Sequence, residues 1–245
     1  MRVEYIGNAT LYNGDCLDVI PTLSGISAVV TDPPYGIEDL VGGYGRSGET
    51  IANDRNLDVC MAALQIATGV APEAIWAVFY SPRIRREFFD SFPPALHDLG
   101  EIIWDKKAPG MGRGIRYQHE TIALFYTGEP KKLVGDTFSV LRDYRSAETH
   151  PHQKPLSLIK TLCEIAGGDV VLDPFMGSGT TGVACAALGK RFIGIEIDPK
   201  HFETSCARIR AAHAAPGLFG AAPAPVQVID MFPVNDNTKR VAACA

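Results

Sequence analysis

The chain has 245 residues, the length of one α/β domain with a small appendage, and its 46% hydrophobic and 21% charged residues are those of a core-forming protein. No stretch approaches the ~18 consecutive apolar residues of a membrane span, the start has no apolar signal-peptide centre, and the six cysteines form no CxxC pair or His/Cys cluster, so a cytoplasmic protein with reduced thiols and no bound metal is expected. The net charge of −5 argues against a plain electrostatic binder of nucleic acid, although residues 83–160 hold 13 basic and 10 acidic side chains against 10 and 18 elsewhere, so one side could face a polyanion.

Short β-rich runs alternate with amphipathic segments of helical length, the pattern of a parallel sheet with crossover helices. In chain order, a helix is expected over 16–23, a strand over 26–31, a helix over 57–68 and a strand over 75–80. A helix over 83–99, broken at Pro93-Pro94, leads to strands over 101–105 and 121–126, the latter expected to run antiparallel. A helix over 155–166, a strand over 169–172, a helix over 180–188, a strand over 192–196 and a helix over 199–212 complete the series. The near-continuous apolar strand runs suit burial on both faces. In the last helix Phe202, Cys206, Ile209 and His213 share one face, which makes His213 a packed helix residue and not a ligand. Residues 36–56 are Gly-rich and read equally as a surface loop or as a lid beside the site. The expected division is a domain over 1–213 and an Ala/Pro-rich, poorly ordered tail over 214–245.

The stretch 169–181, DVVLDPFMGSGTT, is a buried strand ending at Asp173, a Gly-Ser-Gly turn and a helix start. Gly177 and Gly179 let the backbone turn sharply and approach a ligand, and the helix N-terminus offers free N–H groups beside it. One strand later Glu196 ends FIGIE, where a carboxylate can accept from ribose hydroxyls. The half-site therefore suits an adenosine-containing ligand. Gly177-x-Gly179-x-x-Gly182 also matches the dinucleotide fingerprint, so a nicotinamide oxidoreductase is a rival, whereas an NTPase loop is excluded because no Lys precedes Thr180.

Thr31-Asp32-Pro33-Pro34-Tyr35-Gly36 follows the strand SAVVT. Two prolines cannot continue a central strand, so they force a rigid turn just past the carboxyl edge of the sheet, where open α/β folds place their ligands. Asp32 offers a carboxylate, Pro33 a carbonyl acceptor and Tyr35 a flat ring. Two acceptors can each take one hydrogen of an aromatic amine and aim its lone pair at an electrophilic methyl, and a ring can stack on a base taken out of a duplex. Alone this is a Pro-Pro turn; paired with the glycine loop it points to methyl transfer.

Together the two motifs resemble the DNA amino-methyltransferases, in the permuted group whose catalytic motif precedes its cofactor motif. DPPY at Asp32, Pro33, Pro34 and Tyr35 is similar to that catalytic motif, and DPFMGSGTT to the cofactor loop. YNGDCL at 12–17 resembles the motif whose Asp, here Asp15, contacts the cofactor adenine. HQKP at 152–155 resembles the segment lining the methionine end, which implies a role for Lys154. The resemblance implies a doubly wound, seven-stranded, mostly parallel Rossmann-like sheet with one antiparallel strand. It implies S-adenosylmethionine as cofactor, held by Asp15, Asp32, Lys154, Asp173, Phe175, Gly177, Ser178, Gly179, Thr180, Thr181 and Glu196. It implies DNA as partner and N6 of adenine as target, with N4 of cytosine, and then RNA or a protein amide, as alternatives. A long target-recognition insertion, present in many members, is missing between the halves. A short site read by short loops is expected, with Arg113, Arg116, Lys131 and Lys132 as candidate DNA contacts, and pairing with a second copy is left open.

Overall fold

The strands Ala28–Thr31 (β3), Ile75–Tyr80 (β4) and Val170–Asp173 (β8) are buried at every residue, as strands covered by helices on both faces must be. Their side chains alternate between two cores: Ala28, Val30, Ile75, Ala77 and Phe79 face one, and Val29, Trp76, Val78 and Tyr80 the other. The computed structural model describes residues 1–34, 57–106, 117–129, 138–142, 154–214 and 229–230.

The remaining strands are Arg2–Ile6 (β1), Ala9–Asn13 (β2), His97–Asp105 (β5), His119–Tyr126 (β6), Phe138–Arg142 (β7), Arg191–Glu196 (β9) and Ile229–Asp230 (β10). They form one sheet in the order β1-β2-β9-β8-β3-β4-β6-β5-β7-β10. The expected seven-stranded sheet is its centre, β2 to β5. There β2, β9, β8, β3 and β4 run parallel, and β6 (which contains 121–126) lies antiparallel between β4 and β5. Three edge strands, β1, β7 and β10, extend the sheet to ten among the described residues.

The helices are Cys16–Val19 (α1), Asp58–Val70 (α2), Arg85–Asp90 (α3), Leu156–Ala166 (α4), Thr180–Leu188 (α5) and Pro199–Ala214 (α6). The apolar sides of α4, α5 and α6 pack on one face of the sheet, and those of α1, α2 and α3 on the other. The helix expected over 83–99 is reduced to α3. Pro93-Pro94 ends it for good, and His97 already opens β5, whose register slips between Asp98 and Gly100. The helix expected over 16–23 stops at Val19 and continues as one 3₁₀ turn, because Pro21 brings no N–H to an α-helical ladder. β1 and β2 escape the sequence reading because each is five residues long, mixes polar with apolar residues and is for the most part only partly buried or exposed. His213 packs its ring against the backbone of Gly7, where no Cβ would fit. The five cysteines among the described residues are buried free thiols. No helix among the described residues is long and apolar enough to cross a membrane. Of the tail, Ala214 ends α6, residues 229–230 pair with β7, and the others lie outside the described residues.

Candidate active site

The parallel strands all end at one edge of the sheet, and their last residues set the site. β3 delivers Thr31 and then Asp32, β8 delivers Asp173, β9 delivers Glu196, and β2 delivers Asn13 ahead of Asp15. Because β6 runs the other way, its first residues, His119 and Glu120, reach the same edge.

The glycine loop is held from three sides. Asp173, 3% exposed, accepts from Thr31 Oγ1 (2.8 Å), from the Phe175 N–H (3.2 Å) and from Thr181 Oγ1 (2.7 Å). Burial pushes its carboxyl up to about 6, against the pull of the Thr181, Thr31 and Phe175 hydrogen bonds. Its side chain is thus occupied within the protein and ties the loop to β3. Glu196, 9% exposed, accepts the Gly177 N–H on Oε2 (2.9 Å) and the Asp198 N–H on Oε1 (2.7 Å). Burial raises this carboxyl too, opposed by the Asp198 and Gly177 N–H groups. From α6, Arg208 donates to the Ser178 carbonyl (2.5 Å), to Ser178 Oγ (2.9 Å) and to Thr180 Oγ1 (3.3 Å). Neither Arg208 nor its brace was foreseen from the sequence, since an arginine on a mostly polar helix carries no signal of its own.

Two glycines do different work. Gly177 has φ +52° and nothing within 4 Å of where a Cβ would stand, and it lines the cleft. Gly179 has φ +79°, and a Cβ there would lie 2.7 Å from Ser205 Cβ, so it lets α6 close on the loop. Asp15 sits across from Glu196. Asn13 pairs with Glu196 in register, the Gly14 N–H donates to the Glu196 carbonyl (3.1 Å), and Asp15 caps α1 by accepting the Leu17 N–H (2.9 Å).

Asp32 is 34% exposed at its side chain and pairs with Lys154, Nζ to Oδ2 2.8 Å. Lys154, 15% exposed, also meets Glu120 Oε2 at 2.7 Å and lies 4.9 Å from the centre of the Phe79 ring. Glu120 Oε1 takes Lys106 Nζ at 2.8 Å. Burial alone would raise Glu120, but Lys154 and Lys106 bring it down to about 2. Burial alone would discharge Lys154, yet Asp32 and Glu120 hold it above the ordinary lysine range. Lys154, expected at the methionine end of the cofactor, stands against the Asp32 carboxylate. Glu120 carried no sequence signal, because its place follows from the reversed direction of β6.

Asp32, Lys154, Asp173, Phe175, Gly177, Ser178, Thr180 and Thr181 line one cavity of about 130 Å³, floored by Val30, Phe79, Ile159 and Met176. The turn that carries Asp32 and the glycine loop therefore line one cleft. Asp15 and Glu196 stand at the same sheet edge. Pro33 and Pro34 follow Asp32 directly, whereas Tyr35, Arg113, Arg116, Lys131, Lys132 and the segment 36–56 lie outside the described residues. Among the described residues no group of His, Cys, Asp or Glu could hold a metal ion.

A glycine turn and an acidic strand end on one side of a cleft, with a proline-locked carboxylate on the other, define an α/β methyltransferase. A family model described as DNA methylase, of the N6/N4 type, matches residues 26–207, about three-quarters of the sequence, and the chain belongs to that family. YubD of Escherichia coli (strain K12), a methylase by name, is 29% identical over 211 residues, covering 82% of this chain and 90% of YubD. The type II methyltransferase M2.DpnII of Streptococcus pneumoniae is 33% identical over 117 residues, 47% of this chain and 43% of that one. Among solved structures, the M1.HpyAVI–SAM complex aligns with TM-score 0.62 and 24% identity over 82% of this chain and 99% of that chain. The cytosine-N4-specific PvuII DNA methyltransferase aligns with TM-score 0.64 and 16% identity over 86% and 93%. At these identities the structural likeness shows the fold alone.

Proposed function

We propose that the chain transfers a methyl group from S-adenosylmethionine to N6 of an adenine turned out of DNA. The observation that carries this reading is the single cleft shared by Asp32 and Gly177, with the two turns locked together by the Thr31–Asp173 hydrogen bond.

The residues present fit the cofactor. Each oxygen of Glu196 takes one backbone N–H and keeps a lone pair for a ribose hydroxyl. Gly177 lines the cleft and leaves open the space that a side chain would occupy. Asp15 would meet the adenine, and Phe175 and the loop from Gly177 to Thr180 would line the chain leading to the sulfonium. Asp173 and Thr181 bond each other and act from behind, by fixing the loop. When bound, the cofactor supplies a methyl carbon on a positively charged sulfur, a good leaving group.

The chain positions the nucleophile. Asp32 and the Pro33 carbonyl each accept one amine hydrogen, which draws the lone pair out of conjugation with the ring. On transfer the methyl carbon would bond to the amine nitrogen with the C–S pair left on sulfur, and the surplus N–H proton would leave through Asp32 to water. Tyr35 stacks on the extruded base. Arg113, Arg116, Lys131 and Lys132 contact the DNA backbone and base edges. The catalytic unit is the domain over residues 1–213, working in the cytoplasm as a single chain or a homodimer.

Incubation with unmethylated genomic DNA and labelled S-adenosylmethionine, followed by mass analysis of the nucleosides, tests the reading. N6-methyladenine is expected. N4-methylcytosine as the sole product would shift the target while keeping the chemistry, and labelled RNA or protein with unlabelled DNA would overturn it.

A further inference from the structure

We propose that Glu120 is a positioning residue for methyl transfer: from the antiparallel strand it holds Lys154 against Asp32, and so sets the aim of the catalytic carboxylate. The inference rests on the reading of Asp32 given above.

Four charged groups alternate in a row from the rim of the sheet to the catalytic turn. Lys106 Nζ meets Glu120 Oε1 at 2.8 Å, Glu120 Oε2 meets Lys154 Nζ at 2.7 Å, and Lys154 Nζ meets Asp32 Oδ2 at 2.8 Å. Their charges cancel in sequence, so the row carries no net charge into the cleft. The anchoring of its members differs. Glu120 belongs to a strand paired on both sides: it stands opposite Trp104 of β5, and the next residue, Thr121, stands opposite Tyr80 of β4. Asp32 belongs to a turn, and its side chain is the most exposed of the four. Lys154 precedes α4 and is a long side chain with several rotatable bonds. Phe79 limits it on one flank, 4.9 Å from the ring centre.

An ammonium buried beside Asp32 alone would have one strong partner and two further N–H donors to satisfy. Glu120 takes one of those donors from a fixed point, which restricts where the nitrogen can stand. Lys106 in turn occupies the other oxygen of Glu120, which leaves a single oxygen turned toward Lys154. Geometry thus passes from the rigid sheet through Lys154 to Asp32 Oδ2. Glu120 does not line the cleft beside Asp32 and Gly177, so it acts through Lys154 and does not touch substrate.

The test uses the full chain with unmethylated genomic DNA and labelled S-adenosylmethionine. Glu120→Gln keeps the shape and removes the charge. It is expected to lower kcat roughly 10- to 100-fold, the scale seen when groups that orient metal ligands are removed, with cofactor affinity by titration calorimetry near that of the parent and a lower melting temperature, because the charge also stabilises the fold. In a Lys154→Met background the same change should alter kcat less than about twofold, because two residues acting as one unit are not additive. Equal fold-losses in both backgrounds, or a parental kcat in folded Glu120→Gln, would overturn the proposal. If Glu120→Gln fails to fold, Glu120→Asp takes its place. It keeps the charge but withdraws it from Lys154, so the same kcat loss is expected, and a parental kcat overturns the proposal equally. No labelled DNA from the unsubstituted enzyme would overturn both this and the parent reading, whereas labelled DNA with an indifferent Glu120 would overturn this one alone.

Discussion

Thr31 Oγ1 donates to Asp173 Oδ1 at 2.8 Å, joining the residue before Asp32 to the residue that opens the glycine loop. The two belong to neighbouring parallel strands, β3 and β8, and are 142 positions apart in the sequence. One buried hydrogen bond thus adds to the backbone pairing of these two strands at the point where the halves of the site meet.

Thr31→Val preserves shape and removes that donor. Asp173 keeps Thr181 and the Phe175 N–H but is left with a buried, under-satisfied oxygen, which costs about 1.5–3 kcal/mol where the partner is charged. A matching loss in denaturant-unfolding free energy is expected, with a larger fall in kcat than in cofactor affinity. An unchanged stability would mean that the bond contributes nothing.

Asp173 also sets a pH dependence. Its folded carboxyl is raised to about 6 from the ordinary 3.8, so the stability linked to its neutral form is complete below 3.8 and is lost as pH rises through about 6. Asp173→Asn can keep Thr31 and Phe175 on its oxygen and donate its amide to Thr181, and it has no charge to bury. The melting temperature of the variant, relative to the parent, should therefore be highest near pH 7 and fall as pH drops toward 4. Glu120 behaves oppositely, since its stabilisation is present above 4.5 and fades as pH falls toward about 2. A constant difference between Asp173→Asn and the parent from pH 4 to 7 would contradict the assignment.

Gly177→Val introduces a β-branched side chain at φ +52° and fills the open side of the loop. Cofactor binding by calorimetry should fall at least about tenfold, equivalent to 1.4 kcal/mol. Parental affinity would show that the ligand does not approach this backbone.

Arg208→Met retains the stem and removes three hydrogen bonds to the loop. Weaker cofactor binding with an unchanged kcat at saturation is expected, because the arginine braces the loop and touches no reacting atom. A fall in kcat with intact affinity would place Arg208 elsewhere in the mechanism.

The apolar runs of β3, β4 and β8 were legible in the sequence because burial on both faces leaves few polar residues, and the turns after β3 and β8 because proline and glycine have few other uses there. The antiparallel β6 was legible, but not what its direction does: it brings Glu120 to the edge where the parallel strands end. Arg208 and Glu120 were hidden for a shared reason. Each works through a contact with a residue far away in the chain, and a lone charge on a strand or helix does not announce its partner. Lys154 was legible through the HQKP segment, yet its bond to Asp32 exists only once α4 packs beside β3 and β4. β1 and β2 are short, mix polar with apolar residues and bury only Ile6, Ala9 and Leu11, too brief a pattern to be read as strands. The helix expected over 83–99 failed because the chain beyond Pro94 enters a strand at His97.

The most direct measurement is methyl transfer by Asp32→Ala, read with its cofactor affinity in the same preparation. Transfer to unmethylated DNA should fall by at least about 10²-fold, the scale of a group acting on the reacting atoms, while S-adenosylmethionine still binds, since the glycine loop and Glu196 are untouched. Full transfer by Asp32→Ala, or cofactor loss equal to that of Gly177→Val, would contradict the division of the cleft between an amine-binding turn and a donor-binding loop.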